Sequence, residues 1–272
     1  MVAGGDGLLA SRPLTAQLHQ ILLEWWHLLH LGAAILVLAL SPSSYSRPHR
    51  AQMALQIYQN TAPILLGFTV VCALVTVVVT RIVVVTAQSY GLSQFALQVV
   101  IRVLVLELIP LTAALFVALR CTVPDGAELT AMHANGAVDT QRSHSLEFLL
   151  GEVVPRTVAG LFTGLTVAAL SSVVVLLVAF VASYGFSLSA LPGFTRLFGQ
   201  VFNPAVSLIF TLKTLSFCLT VSLIPMTSAL FGMRHSSARA TSVRTSAEVR
   251  GLVRLFAAIL LIEVLSLVGN YY

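Results

Sequence analysis

Long apolar runs separated by short polar breaks dominate the chain. Five of these runs are long enough, at a helical rise of about 1.5 Å per residue, to cross about 30 Å of hydrocarbon. They fall near residues 63–88, 94–119, 156–183, 204–231 and 252–269. Val77-Val78-Val79 and Val173-Val174-Val175 are β-branched stretches within them. These do not argue for strands, because a dry environment admits only helices or closed barrels, and the alternation of a barrel strand is missing. A different pattern precedes the runs. From Leu14 to Leu40, Gln17, Gln20, Glu24 and His27 recur at helical spacing, while Leu18, Ile21, Leu22, Trp25, Leu28 and Leu29 fill the rest. This predicts an amphipathic helix lying in the membrane interface, with Ala33 to Leu40 apolar enough to dip deeper. Trp25-Trp26 suits that level, where an indole buries its ring and keeps its N–H wet. Residues 1–13 are Gly-rich and expected to be loose. Ser41-Pro42-Ser43-Ser44 ends the helix, and Arg47, His49 and Arg50 form a basic segment. A short helix over about 51–60 is expected to lead into the first span. The expected division is an N-terminal interfacial and elbow region, 1–62, and a five-helix transmembrane domain, 63–272.

Composition agrees with an all-α integral membrane protein. Of 272 residues, 57% are hydrophobic and only 9% charged, with mean hydropathy +0.94. A soluble domain carries about 25% charged residues and could not hide this much apolar surface in one core. The net charge of +5 is then read as basic cytoplasmic loops rather than as a nucleic-acid surface. Arg234, Arg239, Arg244, Arg250 and Arg254 fall in 232–254; Arg120, Arg142 and Arg156 in 120–156; Arg47 and Arg50 in 41–62. By contrast 184–203 carries only Arg196 and 89–93 no charge. The arginine-rich loops are therefore expected inside, the N-terminus cytoplasmic, and the C-terminal Gly269-Asn270-Tyr271-Tyr272 outside. Asp6 and Arg12 precede the first apolar run without a convincing small-residue cleavage site after it, so that run is not read as a signal peptide. Cys72, Cys121 and Cys218 are an odd set without paired spacing, read as small apolar residues rather than a disulfide or a metal site.

Enzyme signatures are absent. The single lysine, Lys213, follows Leu212, so there is no G-K-[ST] phosphate loop, and neither H-E-x-x-H nor G-x-S-x-G occurs. The spacing of Glu24, His27 and His30 would suit a metal, but a polar stripe facing headgroups explains it equally well. Glu107 interrupts the second apolar run. A carboxylate at that depth costs about 3 kcal/mol and usually has a reason. It either pairs with another helix and fixes packing, or borders a cavity. Lys213 in the fourth run has the same two readings; Arg81 is placed to snorkel outward, and Glu263 in the last run is read as a packing residue. The longest polar passage runs from about Cys121 to Glu152. There Asp139, Arg142, Glu147 and Glu152 mix charges while Leu146, Phe148, Leu149 and Leu150 supply an apolar face. Such a helix could dock in a groove of a soluble partner.

Ordered motifs cross this same region. Glu107-Leu108-Ile109-Pro110, Ala118-Leu119-Arg120, Ala127-Glu128, Met132 and Pro155-Arg156 fall, in order and without a gap, where a pattern R-E-L-G-P, A-G-R, A-E, M and P-R would place them. Gln56-Ile57-Tyr58 and Tyr90-Gly91 precede them, and Lys213-Thr214 with Phe217 follows as a K-S-x-x-F element. This series resembles the MlaE (YrbE) family of permeases, the membrane subunits of ABC-type lipid transporters that work with MCE proteins. The sequence departs from it at Leu106, where the family has arginine, at Leu119 and Thr122, where it has glycines, and before Pro155, where an acidic-proline pair is missing. Glu263 falls where the family has an acidic residue.

The resemblance implies a bacterial inner-membrane permease, non-catalytic, with ATP and Mg bound by a separate ATPase and no cofactor of its own. It implies two permease copies, an MCE-domain ring above and ATPases below, with room for a small STAS-like regulatory subunit, and phospholipid as cargo. A sterol or fatty-acid cargo, or a structural role beside a second permease, are the other readings. Lipid contacts are expected at Tyr90, Arg102, Glu107 and Lys213, with Arg102, one turn before Leu106, replacing the family cation on lipid phosphate. The cytoplasmic segment of about 121–155 is the expected coupling helix, through Glu128, Met132, Asp139, Arg142, Glu147, Phe148 and Glu152.

Overall fold

The computed structural model describes residues 14–41, 47–134, 145–235 and 241–271, and all regular structure among them is helical. The Gly-rich residues 1–13, the break at 42–46, and Asp139 and Arg142 lie outside the described residues.

Helix α1 spans Leu14–Leu40 and α2 spans Arg47–Ser89. The short helix expected at 51–60 is thus not a separate element. Pro63 lies inside α2; it removes one backbone donor, and the bonds on either side carry the helix through. Helix α3 begins as Ser93–Ile101, passes through wider π turns at Arg102–Leu108 and Ala118–Thr122, and ends as Val123–Ala134. Helix α4 begins at Leu146, has a π turn at Leu149–Val153 and continues as Val154–Tyr184. Helix α5 is Leu191–Val201, α6 is Pro204–His235 and α7 is Thr241–Tyr271.

Among the described residues, five helices are long and apolar enough to cross a membrane: α2, α3, α4, α6 and α7. They run past the ends expected from hydropathy. The polar passage at 121–152 is helix on both flanks; Pro124 is accommodated near the start of Val123–Ala134, directly after the π turn at Ala118–Thr122. The 232–254 loop is likewise helix from Thr241. Two turns at the opposite end are tight, and glycine permits both: Gly91 has φ +72° and Gly185 φ +67°, a left-handed region that side chains disfavour.

Ile64, Phe68, Ala113, Val117, Val167, Phe217, Val221, Leu255 and Ile259 form one core to which all five spans contribute. A second cluster joins Leu97, Ile101, Leu104, Leu106 and Ile109 of α3 to Val175 and Ala179 of α4 and Val201 of α5. Leu106, 2% exposed, therefore points into apolar packing where an arginine would be stranded. Below, Ile35 of α1 packs with Leu129, Val153, Met226 and Leu230, clamping the N-terminal helix across the ends of α3, α4 and α6.

Water is no driving force between helices in a bilayer, so close backbone approach carries much of the association. Gly160 and Gly164 supply it. A Cβ on Gly160 would lie 2.7 Å from Thr122 Cγ2 and 3.1 Å from Ser222 Oγ; one on Gly164 would lie 2.9 Å from Cys218 Sγ. Gly126 meets the Pro225 carbonyl oxygen just as closely, at 3.0 Å. Some hydroxyls inside the spans are satisfied locally or across helices: Thr76 donates to the Cys72 carbonyl, Thr214 to that of Phe210, and Thr61 and Thr163 share a 2.8 Å bond between α2 and α4, whereas the buried hydroxyls of Thr80, Ser222 and Ser228 have no aligned partner.

Candidate functional site

Three spans bring charge together inside this apolar bundle. Glu107 sits in the π turn of α3, Lys213 in the first half of α6 and Glu263 in the second half of α7. The Lys213 ammonium donates to Glu107 Oε2 and lies 2.9 Å from Glu263 Oε2. That second contact is an ion pair without hydrogen-bond alignment, since Glu263 Oε2 is buried and has no hydrogen-bond partner. The lysine also stands 5.8 Å from the Phe217 ring centre, which favours a cation modestly.

The sequence singled out Glu107 and Lys213 separately and read Glu263 as packing; the fold makes them one cluster. Its exposure is uneven. The Lys213 side chain is 2% exposed, those of Glu107 and Glu263 15% each. A molecule reaching this site meets carboxylates first, with the lysine sealed behind them. Phe68, Val71, Cys72, Leu104, Leu108 and Thr112 are among the residues lining an apolar crevice of about 100 Å³ between α2 and α3, which none of the three charged residues lines.

The other expected lipid residues are placed elsewhere. Tyr90 is 77% exposed in the turn before α3, and Glu107 is about 21 Å farther along that helix at 1.5 Å per residue. Arg102 is half-buried and lines a shallow groove with Phe95, Gln98 and Val99.

A second ionic group ties the opposite ends of α3 and α4. Arg156 has only 8% of its side chain exposed, lies 3.4 Å from Glu128 and 3.3 Å from Glu152, and keeps Nη1 without an aligned hydrogen bond. Beside it Asn60 donates to buried Asp125 at 3.3 Å, and the Cys121 thiol donates to the Asn60 carbonyl at 3.6 Å. Of the expected coupling residues, Glu128 and Glu152 thus have an internal partner, Met132 and Phe148 are half-buried, and Glu147 is exposed just after the Ser145 cap. Arg156 entered the sequence reading as half of a motif and as one of the loop arginines, not as an ion-pair centre. Its signal was an arginine at the start of an apolar run with a carboxylate four residues before it.

No curated protein matches the chain. The family described as Permease MlaE matches residues 53–268, most of the chain and all five spans. Matched over that length and built as five apolar helices around a buried charge cluster, the chain belongs to the MlaE permease family and is a multi-pass membrane permease subunit of an ABC lipid transporter.

Proposed function

We propose that this permease moves phospholipid between the inner membrane and an MCE-protein channel, driven by ATP hydrolysis in a separate subunit. The observation that carries the reading is the Glu107–Lys213–Glu263 cluster. Charge inside spans is costly and points to function. This cluster would hold the polar headgroup, and the apolar crevice between α2 and α3 the start of an acyl chain. Two permease copies, each with its ATPase, are the working unit, and the arginine-rich ends of the bundle face the cytoplasm. The helical ends flanking 135–144 form the coupling surface; Arg156 joins them, so that a push on one is felt by both α3 and α4. Nucleotide-driven switching between two accessibilities of the cluster then moves the lipid.

The coupling part separates two glutamates that lie five residues apart. In proteoliposomes carrying labelled phospholipid and the ATPase, Glu147→Arg should lower ATP-driven lipid movement and ATPase retention at least fivefold while leaving the bundle folded. Glu152→Arg should instead lower the thermal midpoint, because it sets a second cation beside buried Arg156. Wild-type lipid movement in Glu147→Arg would remove this surface from the coupling path.

A further inference from the structure

We infer that the cluster selects phospholipids whose headgroup carries a primary ammonium, such as phosphatidylethanolamine, over purely anionic ones. This rests on the reading of the cluster as the headgroup site. Counting formal charge, two carboxylates face one ammonium, which leaves the cluster at −1. The arrangement makes that excess accessible. Lys213 is the sealed member, 2% exposed, while the two glutamates keep 15% of their side chains open. Donors and acceptors are unbalanced in the same direction. An ammonium offers three donors, whereas two carboxylates offer four oxygens with about eight lone-pair sites. Glu263 Oε2, 2.9 Å from the Lys213 ammonium, accepts no aligned hydrogen bond from it, and three ammonium donors cannot fill the carboxylate sites.

An incoming phosphate would therefore meet two negative groups before it met the lysine. An incoming ammonium would meet complementary charge and supply the missing N–H donors. A quaternary choline matches the charge but has no N–H, so it should rank between the two. The depth is within reach of a headgroup that leaves the interface. Glu263 is six residues from Gly269, Lys213 nine from Pro204 and Glu107 fourteen from Ser93, about 9, 14 and 21 Å along their helix axes from the ends on that side.

The test uses the transporter purified with its ATPase from nanodiscs containing equal amounts of phosphatidylethanolamine and phosphatidylglycerol. Lipid retained by the complex is quantified by mass spectrometry against the bulk ratio. Phosphatidylethanolamine should be enriched at least threefold in the wild type. Glu263→Gln and Glu107→Gln, which remove charge but keep shape, should each bring the ratio towards that of the bulk. Equal retention of the two lipids by the wild type, preference for phosphatidylglycerol, or unchanged enrichment in both glutamine variants would overturn the inference. Total retained lipid separates the two levels. Lipid held without headgroup preference defeats this inference alone, and no retained lipid in any protein defeats the headgroup-site reading with it.

Discussion

Gly160→Leu should abolish the folded permease. The Cβ alone would stand 2.7 Å from Thr122 Cγ2 and 3.1 Å from Ser222 Oγ, and leucine adds three carbons beyond it. Thr122 and Ser222 are themselves fully buried, on α3 and α6, so neither can swing away. Overpacking of this kind costs about 3 kcal/mol, roughly a hundredfold in the folded-to-unfolded ratio. The expected readout is loss of the monodisperse peak in detergent and a large drop in thermal midpoint. Gly160→Ala should show a smaller form of the same defect. A leucine variant as stable as wild type would mean that α3, α4 and α6 are not in contact at this level.

Lys213→Met should be nearly as damaging, for an electrostatic reason. It leaves Glu107 and Glu263 side by side in the bundle with their shared cation gone. Removing one partner of a buried ionic group costs about 3–5 kcal/mol, because the remaining charge is stranded. Adding Glu107→Gln and Glu263→Gln should restore much of the lost stability, since a neutral cluster strands nothing. The sign of that rescue is the informative part. If Lys213→Met were stable alone, or the triple variant no better than the single, the three groups would not form one electrostatic unit.

Much of the fold was legible along the chain. Length and apolarity are local properties, and the positions of the five spans follow from them. Helix ends were less legible, because hydropathy marks where the apolar run stops and not where backbone hydrogen bonding stops. Hence α3 continues to Ala134 past the polar residues from Cys121, and α2 runs through Pro63. The helix Leu191–Val201 was missed outright, although Phe194, Leu197 and Val201 recur at helical spacing. It was hidden by being short and lying between two strong spans. Phe194 packs on Phe180 of α4 with ring centres 5.1 Å apart, which anchors it.

The candidate site was half legible. A charge in an apolar run stands out by itself, so Glu107 and Lys213 were found. Which charges meet depends on how helices 106 residues apart in sequence pack, and no spacing rule reports that. Glu263 was therefore read as packing, although it shares the lysine. Arg102 was chosen as the substitute for a cation missing at Leu106. In the fold Leu106 is buried in the α3–α4–α5 core, whereas Arg102, one turn nearer the start of α3, is half-buried and lines a groove with Phe95, Gln98 and Val99.

The central claim is that the charge cluster holds lipid in a working transporter. The direct measurement compares phospholipid bound per assembled complex in the wild type and in the folded triple variant Glu107→Gln, Lys213→Met, Glu263→Gln. The triple variant, folded and assembled, should retain at least fivefold less lipid than wild type. Equal lipid occupancy in the two would contradict it and leave the cluster as a device of packing alone.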